Sequence, residues 1–333
     1  MPDFSRVLCA IDLTEPSRRA LDCALWWARQ HGADVSVLNV NRLAVPPPET
    51  GTLHLDATGV APSQPMPGEA RLTPEERSAR QLQIERFVEQ SRTDGLQIEI
   101  LLDEDASVAG AIEARADALA ADLVVVGAGN DPAREELALG RITTELLRTA
   151  PCSVLVIPTP ATDVANPCIS GLNRVMCAVS LSDDSRPLLE TAAALADEAA
   201  AHLTVVHVVE LSEVAAVAYD FDAHREARLQ PACDALVALV ADVVGREKPV
   251  EEILAQGSAS HEILKLAAEE ATDLIVVGRG AEALGGARRP TAAAVAREAR
   301  CPVLFVHEDA SAVSRATTDA STTAAQAVSP HRL

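Results

Sequence analysis

The sequence predicts an α/β fold built twice: two open, parallel five-stranded sheets with helices on both faces. Three observations carry this expectation. The chain repeats itself: residues 7–21 (VLCAIDLTEPSRRAL) and 175–189 (VMCAVSLSDDSRPLL) share seven of fifteen positions at a constant offset of 168. Further on, DLVVVGAG at 122–129 returns as DLIVVGRG at 273–280, and APCSVLVI at 150–157 as ARCPVLFV at 299–306. Matches in the same order mean a duplicated unit of ordinary domain size. Each copy also opens and closes on short apolar runs without alternation, the pattern of parallel strands covered on both faces. Finally, these runs alternate with helical stretches, which is the mark of a parallel α/β sheet.

The elements follow in order. The first strands are expected over Arg6–Ile11 and Arg174–Val179. Thr/Ser-rich turns follow, then helices over Arg18–His31 and Arg186–Ala200, with Thr14 or Ser17 and their partners Ser182 or Ser185 as N-caps. Second strands over Asp34–Val40 and Leu203–Val209 complete a right-handed βαβ unit in each copy. The Pro-rich stretch 41–74 reads as a long loop. A helix over Pro74–Arg92 starts at Thr73-Pro74-Glu75-Glu76, where Thr followed by Glu three residues later fits a capping box. Its partner covers about Ala223–Val244. Third strands (Gln97–Leu102, Val250–Ala255), helices (Ser107–Ala120, Ser260–Glu270) and the most apolar strands (Leu123–Gly127, Leu274–Gly278) come next. A loop, a helix and a last strand (Val154–Pro158, Val303–His307) close each copy. The boundaries are a first domain at 1–158, a Pro/Thr/Ala linker at 159–172, a second domain at 173–308 and a disordered tail at 309–333.

Composition narrows the function. Nearly half of the residues are apolar (48%) but only 2% are aromatic, so Ala, Val, Leu and Ile must build the cores. Trp26 and Trp27 are neighbours on one helix, about 100° apart, so at most one faces the sheet squarely. The net charge of −21 divides evenly, −10 up to Pro158 and −11 beyond it. Such an acidic surface repels nucleic acid and anionic membrane. No apolar run nears the ~20 residues of a membrane span, and MPDFSRVLCAID lacks the layout of a secretory signal. The expectation is a cytoplasmic, soluble protein that contacts neither nucleic acid nor membrane. Seven cysteines without a Cys-x-x-Cys pair argue against a disulfide framework or a zinc site. Cys9 with Cys177, and Cys152 with Cys301, fall at matching positions in strand patterns and read as buried thiols.

Ligands of open parallel sheets bind at the carboxyl ends of the strands where strand order reverses. Two segments meet there in the first copy: Ala10-Ile11-Asp12-Leu13-Thr14, and Gly127-Ala128-Gly129-Asn130 running on to Gly140-Arg141-Ile142-Thr143-Thr144. A Gly-containing loop feeding a helix N-terminus presents backbone N–H groups and a partial positive charge to an anion. Asp12 is placed to accept hydrogen bonds from a nucleoside. The segment is neither a Walker A loop, since no Gly-Lys-Ser/Thr follows, nor a dinucleotide fingerprint, since Pro132 stands where a glycine is needed. His207 ends a second strand opposite Asn39 of the first copy, and reads either as pocket-lining or as a half-buried hydrogen-bonded residue.

Taken together, CAIDLTEPSRRAL, DLVVVGAG and LLRTAPCSVLVIP, in order and twice, resemble the universal stress proteins in their tandem form. The resemblance spans Phe4–Pro158 and Gly171–Glu308. It implies a Rossmann-like strand order 3-2-1-4-5 and intramolecular pairing of the domains along their fifth strands, Val154–Ile157 and Val303–Val306, each an apolar edge that pairing would hide. It implies a stress-response role, and in part of the family an ATP site made by Gly, two residues, Gly, nine residues, Gly, then Ser or Thr. Gly127 and Gly140 match the outer glycines, Asn130 stands for the middle one and Arg141 for the Ser/Thr. Asp12 matches the first-strand aspartate, and Val40 the residue whose backbone meets the base. The implied contact set is Asp12, Thr14, Val40, Gly127, Asn130, Gly140, Arg141, Ile142 and Thr143. In the second copy Ser180 replaces the aspartate, Arg289 and Pro290 fall where Gly140 and Arg141 fall, and the ATP pattern is gone. The loop Gly278-Arg279-Gly280 with Gly285–Thr291 stays basic and reads as a solvated surface loop or, failing that, as a site for another anion.

The expectation is a non-enzymatic regulatory or protective protein of stress response, with a degenerate site for weak ATP binding in the first domain at most. It carries no metal, pairs its own domains and leaves room for a further homodimer or an unidentified protein partner. A scaffold that binds no nucleotide, or a different apolar or anionic ligand, is the alternative. A slow ATP hydrolase ranks third, because Thr14 and Ser17 read as turn and cap residues rather than nucleophiles.

Overall fold

The computed structural model describes residues 4–44, 71–91, 95–129, 139–158, 171–182, 184–210, 221–279 and 291–307, with the backbone alone at 221–228. The sequence expectations for most of the 41–74 loop, the linker, the tail, Asn130 and the second-copy loop beyond Arg279 lie outside the described residues.

The first half contributes β1 (Arg6–Ile11), α1 (Glu15–His31), β2 (Asp34–Arg42), α2 (Pro74–Glu89), β3 (Ile98–Asp105), α3 (Val108–Leu119), β4 (Leu123–Gly127), α4 (Arg141–Thr149) and β5 (Ser153–Ile157). The second half repeats it with β6 (Arg174–Ala178), α5 (Ser185–Ala199), β7 (His202–Val209), α6 (Phe221–Val243), β8 (Val250–Gln256), α7 (Ala259–Glu269), β9 (Leu274–Gly278), α8 (Thr291–Glu298) and β10 (Val303–Val306). All strands form one ten-stranded sheet in the order β3-β2-β1-β4-β5-β10-β9-β6-β7-β8. Each half is parallel, in the implied order, and the join is the antiparallel pair β5–β10. The carboxyl ends of the two half-sheets therefore point in opposite directions.

Alternate residues of each strand feed two cores. Val7, Cys9, Ile11, Val125 and Leu155 pack with Leu21, Ala24, Leu25 and Ala28 of α1 on one face. Leu8, Val124, Val126 and Val154 pack with Ile112 of α3 and Leu146 of α4 on the other. Trp27 is buried and Trp26 half-buried, as the angular offset requires. Trp27 meets Phe4 edge-on at 5.5 Å and His31 at 5.0 Å. The aspartate of each DL motif ties β4 or β9 back to the first strand of its half. Asp122 accepts from the backbone of Ser5 and Arg6, and Asp273 from that of Asn173 and Arg174.

Local signals explain most boundaries. Thr73 and Glu76 form the expected capping box, with Thr73 N donating to Glu76 Oε2 at 2.8 Å. Helix α1 starts earlier than expected, at Glu15, because Pro16 fits its first turn and Thr14 is the N-cap. In α5 the N-cap is Asp184 rather than Ser182 or Ser185. Strand β3 runs past Leu102 through Asp103-Glu104-Asp105 to stay paired with the end of β2. Its polar end is held by Arg115, which grips Asp103 through both Nε and Nη2, and by Arg77, which grips Glu104.

Cys9 and Cys177 are fully buried, and burial pushes both thiols far above their usual range. Cys152 and Cys301 are pushed up to about 12 for the same reason. Cys23, by contrast, is disulfide-bonded. Among the described residues no helix is long and apolar enough to cross a membrane.

Candidate functional site

The carboxyl end of the first half-sheet brings the two sequence segments together. The turn after β1 is set by Leu13, a non-glycine residue in the left-handed region at φ 65°. Asp12 Oδ1 accepts from Thr14 N at 3.0 Å and from the Thr14 hydroxyl. Ser17 Oγ accepts from the backbone N–H groups of Asp12 and Thr14 and donates to Thr14 O at 2.9 Å. Asp12 and Thr14 are exposed, while Ser17 is buried. The hydroxyls of Thr14 and Ser17 are thus committed to the turn.

The second half builds the same turn from three serines. Leu181 repeats the left-handed conformation at φ 61°. Ser180 Oγ lies 2.7 Å from Ser182 Oγ and 3.4 Å from Ser185 Oγ, at the positions of Asp12, Thr14 and Ser17. The fold therefore does not require the Asp12 carboxylate for this turn, because Ser180 closes its counterpart without one.

Opposite Asp12, β4 ends at Gly127 and the chain returns through Gly140 into α4. Space here is tight. A Cβ on Gly127 would come within 3.3 Å of Pro16 O, one on Gly129 within 3.1 Å of Gly140 Cα, and one on Gly140 within 3.1 Å of Ala128 O. Gly129 also sits at φ +73°, a conformation that only glycine adopts cheaply. Gly140 N donates to Ala128 O at 2.8 Å, closing the neck of the loop. Gly129 belongs to the Gly-Ala-Gly run of the candidate segment but falls outside the spaced-glycine pattern.

Gly140 is the N-cap of α4, with Arg141 and Ile142 exposed in the first turn. The backbone N–H groups of Arg141, Ile142 and Thr143 have no partner within the helix, the ordinary state of a helix start. The Thr143 side chain is placed differently from the expected ligand contact. It is buried, and its hydroxyl donates to Gly127 O at 3.0 Å, bracing β4 against α4. Val40 lies one residue beyond the last β1–β2 pair, Ile11 with Asn39, and its half-buried side chain packs on the α3–α4 core. Asn130 lies outside the described residues.

Asn39, at the same end of the sheet, lies outside the motif. It is 3% exposed, and its Nδ2 donates to Ile11 O at 2.8 Å. Its Oδ1 is buried without a hydrogen-bond partner among the described residues, a costly state unless a donor is supplied. In the second half His207 takes the same place, with Nδ1 2.8 Å from Val179 O. The half-buried, hydrogen-bonded reading of His207 is the one observed. Arg279, expected in a basic surface loop, donates to Ala150 O of the first half.

The model of the universal stress protein family matches residues 3–158 and again 171–307. A universal stress protein from Archaeoglobus fulgidus DSM 4304 aligns in structure with a TM-score of 0.61 at 18% identity, over 92% of this chain and 97% of that one. A functionally unknown protein from Pseudomonas aeruginosa PAO1 aligns equally, with a TM-score of 0.61 at 18% identity over 96% of this chain and 98% of its own. At that identity the likeness is one of fold. Comparison with curated proteins gives no match. Because the family model matches both halves, where the sheet order repeats, the chain belongs to the universal stress protein family, in its tandem two-domain form.

Proposed function

We propose that this protein is a non-enzymatic stress-response protein that binds a nucleotide of the ATP type weakly, at the carboxyl end of its first half-sheet and not in its second half. The observation that carries the reading is the glycine neck. Gly127, Gly129 and Gly140 let the loop backbone close tightly on itself where any Cβ would meet neighbouring backbone, and this neck leads directly into the N-terminus of α4, whose free N–H groups suit an anion. The fit is partial. Arg141 replaces the expected hydroxyl with a cation suited to phosphate, and the Thr143 hydroxyl is occupied by Gly127 O, so phosphate would meet backbone N–H groups and Arg141. The exposed Asp12 carboxylate is the acceptor at the same end, with Asn39 buried behind it on β2. The non-enzymatic reading is supported by the Thr14 and Ser17 hydroxyls, which serve the turn rather than a base.

The second reading, an interaction module that takes an apolar ligand, is favoured by Ile142. This side chain is 40% exposed in the first turn of α4, where a phosphate site gains nothing from it.

The test is equilibrium binding of labelled ATP with Mg²⁺ to the full chain and to Asp12→Ser. That substitution copies the Ser180 turn and so removes the carboxylate without removing the turn. Weak binding that falls at least tenfold in the variant is expected. No saturable binding at millimolar ATP, or binding indifferent to Asp12→Ser, contradicts the proposal.

A further inference from the structure

Because the half-sheets run in opposite directions, the carboxyl end of the second lies beside the amino end of β5. There His307 N donates to Ser153 Oγ at 3.2 Å. Arg279 follows Gly278, the last residue of β9, and its Nη1 donates to the carbonyl of Ala150 at 2.5 Å. Ala150 is the C-cap of α4, the helix whose opposite end carries Gly140 and Arg141.

This carbonyl is one that the helix does not satisfy by its own geometry. Helices α1, α3 and α5 end on left-handed residues, Gly32, Ala120 and Ala200, whose N–H groups turn back onto the last carbonyls. Ala150 is extended instead, at φ −58° and ψ 136°, so its carbonyl looks outward for a donor. A guanidinium supplies a charge-assisted hydrogen bond and complements the negative pole of the helix. Arg279 also acts to lower the Cys152 thiol against the effect of burial, which places its charge beside that residue as well.

The contact has no mirror image. Arg279 aligns with Ala128 in the repeat, and a methyl group cannot donate to α8, the copy of α4. In the half that has lost the nucleotide pattern, the position after the β9 glycine has become a cation directed at the other half.

We propose that Arg279 clamps the second half onto the first: it holds α4 at its carboxyl end and so positions the amino end proposed to face the nucleotide. Arg279 is then a positioning residue. The coupling to nucleotide rests on the function proposed above, whereas the clamp rests on the Arg279–Ala150 geometry alone.

The experiment compares the full chain with Arg279→Ala and Arg279→Lys by residue-resolved hydrogen exchange, and by ATP–Mg²⁺ titration. In Arg279→Ala, exchange over Thr144–Ala150 should rise about tenfold while β1 and β2 are unchanged, and ATP affinity should fall several-fold. Arg279→Lys, which keeps the charge but loses the planar fork, should lie between; if the alanine variant does not fold, the lysine variant decides. Unchanged exchange in α4 overturns the clamp. Faster exchange with unchanged ATP affinity overturns the coupling. If the parent chain binds no ATP, the nucleotide reading fails by itself and the exchange result still decides the clamp.

Discussion

Leu155 and Leu304 lie directly opposite each other in the antiparallel pairing of β5 with β10, and they are the same position of the sequence repeat. The pseudo-two-fold axis of the molecule passes between them. Both are fully buried, as are Val154, Val156 and Phe305 around them. Each half alone would expose this apolar strand as an unpaired edge. Duplication within one chain hides both edges at once.

The first prediction concerns this seam. Leu155→Ala or Leu304→Ala is expected to cost about 2–5 kcal/mol, the usual range for a buried leucine. The double change to Lys places two like charges across the axis in an apolar core, and should separate the halves or cause aggregation. Small-angle scattering that shows unchanged compactness in the double Lys variant would count against the pairing.

Much of this arrangement was legible in the sequence, and the reasons are physical. Strands β1, β4 and β9 were bounded correctly because a parallel strand covered on both faces has to be apolar throughout. The capping box at Thr73 was visible because both partners lie within one helical turn. The end of β3 was not, because Asp103, Glu104 and Asp105 look like a loop until Arg77, Arg115 and the extended β2 are in place. The contact of Arg279 with Ala150 spans 129 residues, and no local pattern encodes it. Gly127, Gly140 and Asp12 were legible as spaced motif residues. Asn39 was not, because its role depends on reaching the Ile11 carbonyl on the neighbouring strand.

A second prediction follows from the glycine neck. Gly129→Ala forces a methyl group into the left-handed region and within 3.1 Å of Gly140 Cα. A cost of about 1–3 kcal/mol is expected. Gly32 has a similar φ of +63° but open space around it, so Gly32→Ala should cost less. Chemical denaturation of the two variants gives the comparison, and equal losses would mean that the neck is not tight.

A third concerns His31, at the end of α1. It packs on Phe4 and Trp27 and contacts Glu198 of the second half at 3.2 Å. Burial lowers its pKa, against an opposing pull from Glu198. The folded state then binds fewer protons than the unfolded state through this group. Its stability contribution is present above the unfolded value of about 6.5 and is lost as pH falls through that value toward the folded one. Stability should therefore drop more between pH 7.5 and 5.5 in the parent chain than in His31→Gln. An equal drop in both would show that His31 does not titrate in this way.

A fourth concerns the thiols. Cys9, Cys152, Cys177 and Cys301 are buried and hard to ionise, whereas Cys233 is partly exposed. Alkylation of the native protein at mildly alkaline pH, read by peptide mass spectrometry, should label Cys233 well before those four. Early labelling of Cys9 or Cys177 would mean that the strand cores open readily.

The central claim is the functional asymmetry of two structurally equal halves. The most direct measurement is hydrogen exchange of the intact protein with and without saturating ATP and Mg²⁺. Slower exchange is expected at 10–14, 126–129 and 140–144, with no change at the matching positions 178–182, 277–280 and 289–293. Equal protection of both halves, or protection of the second alone, would contradict the account.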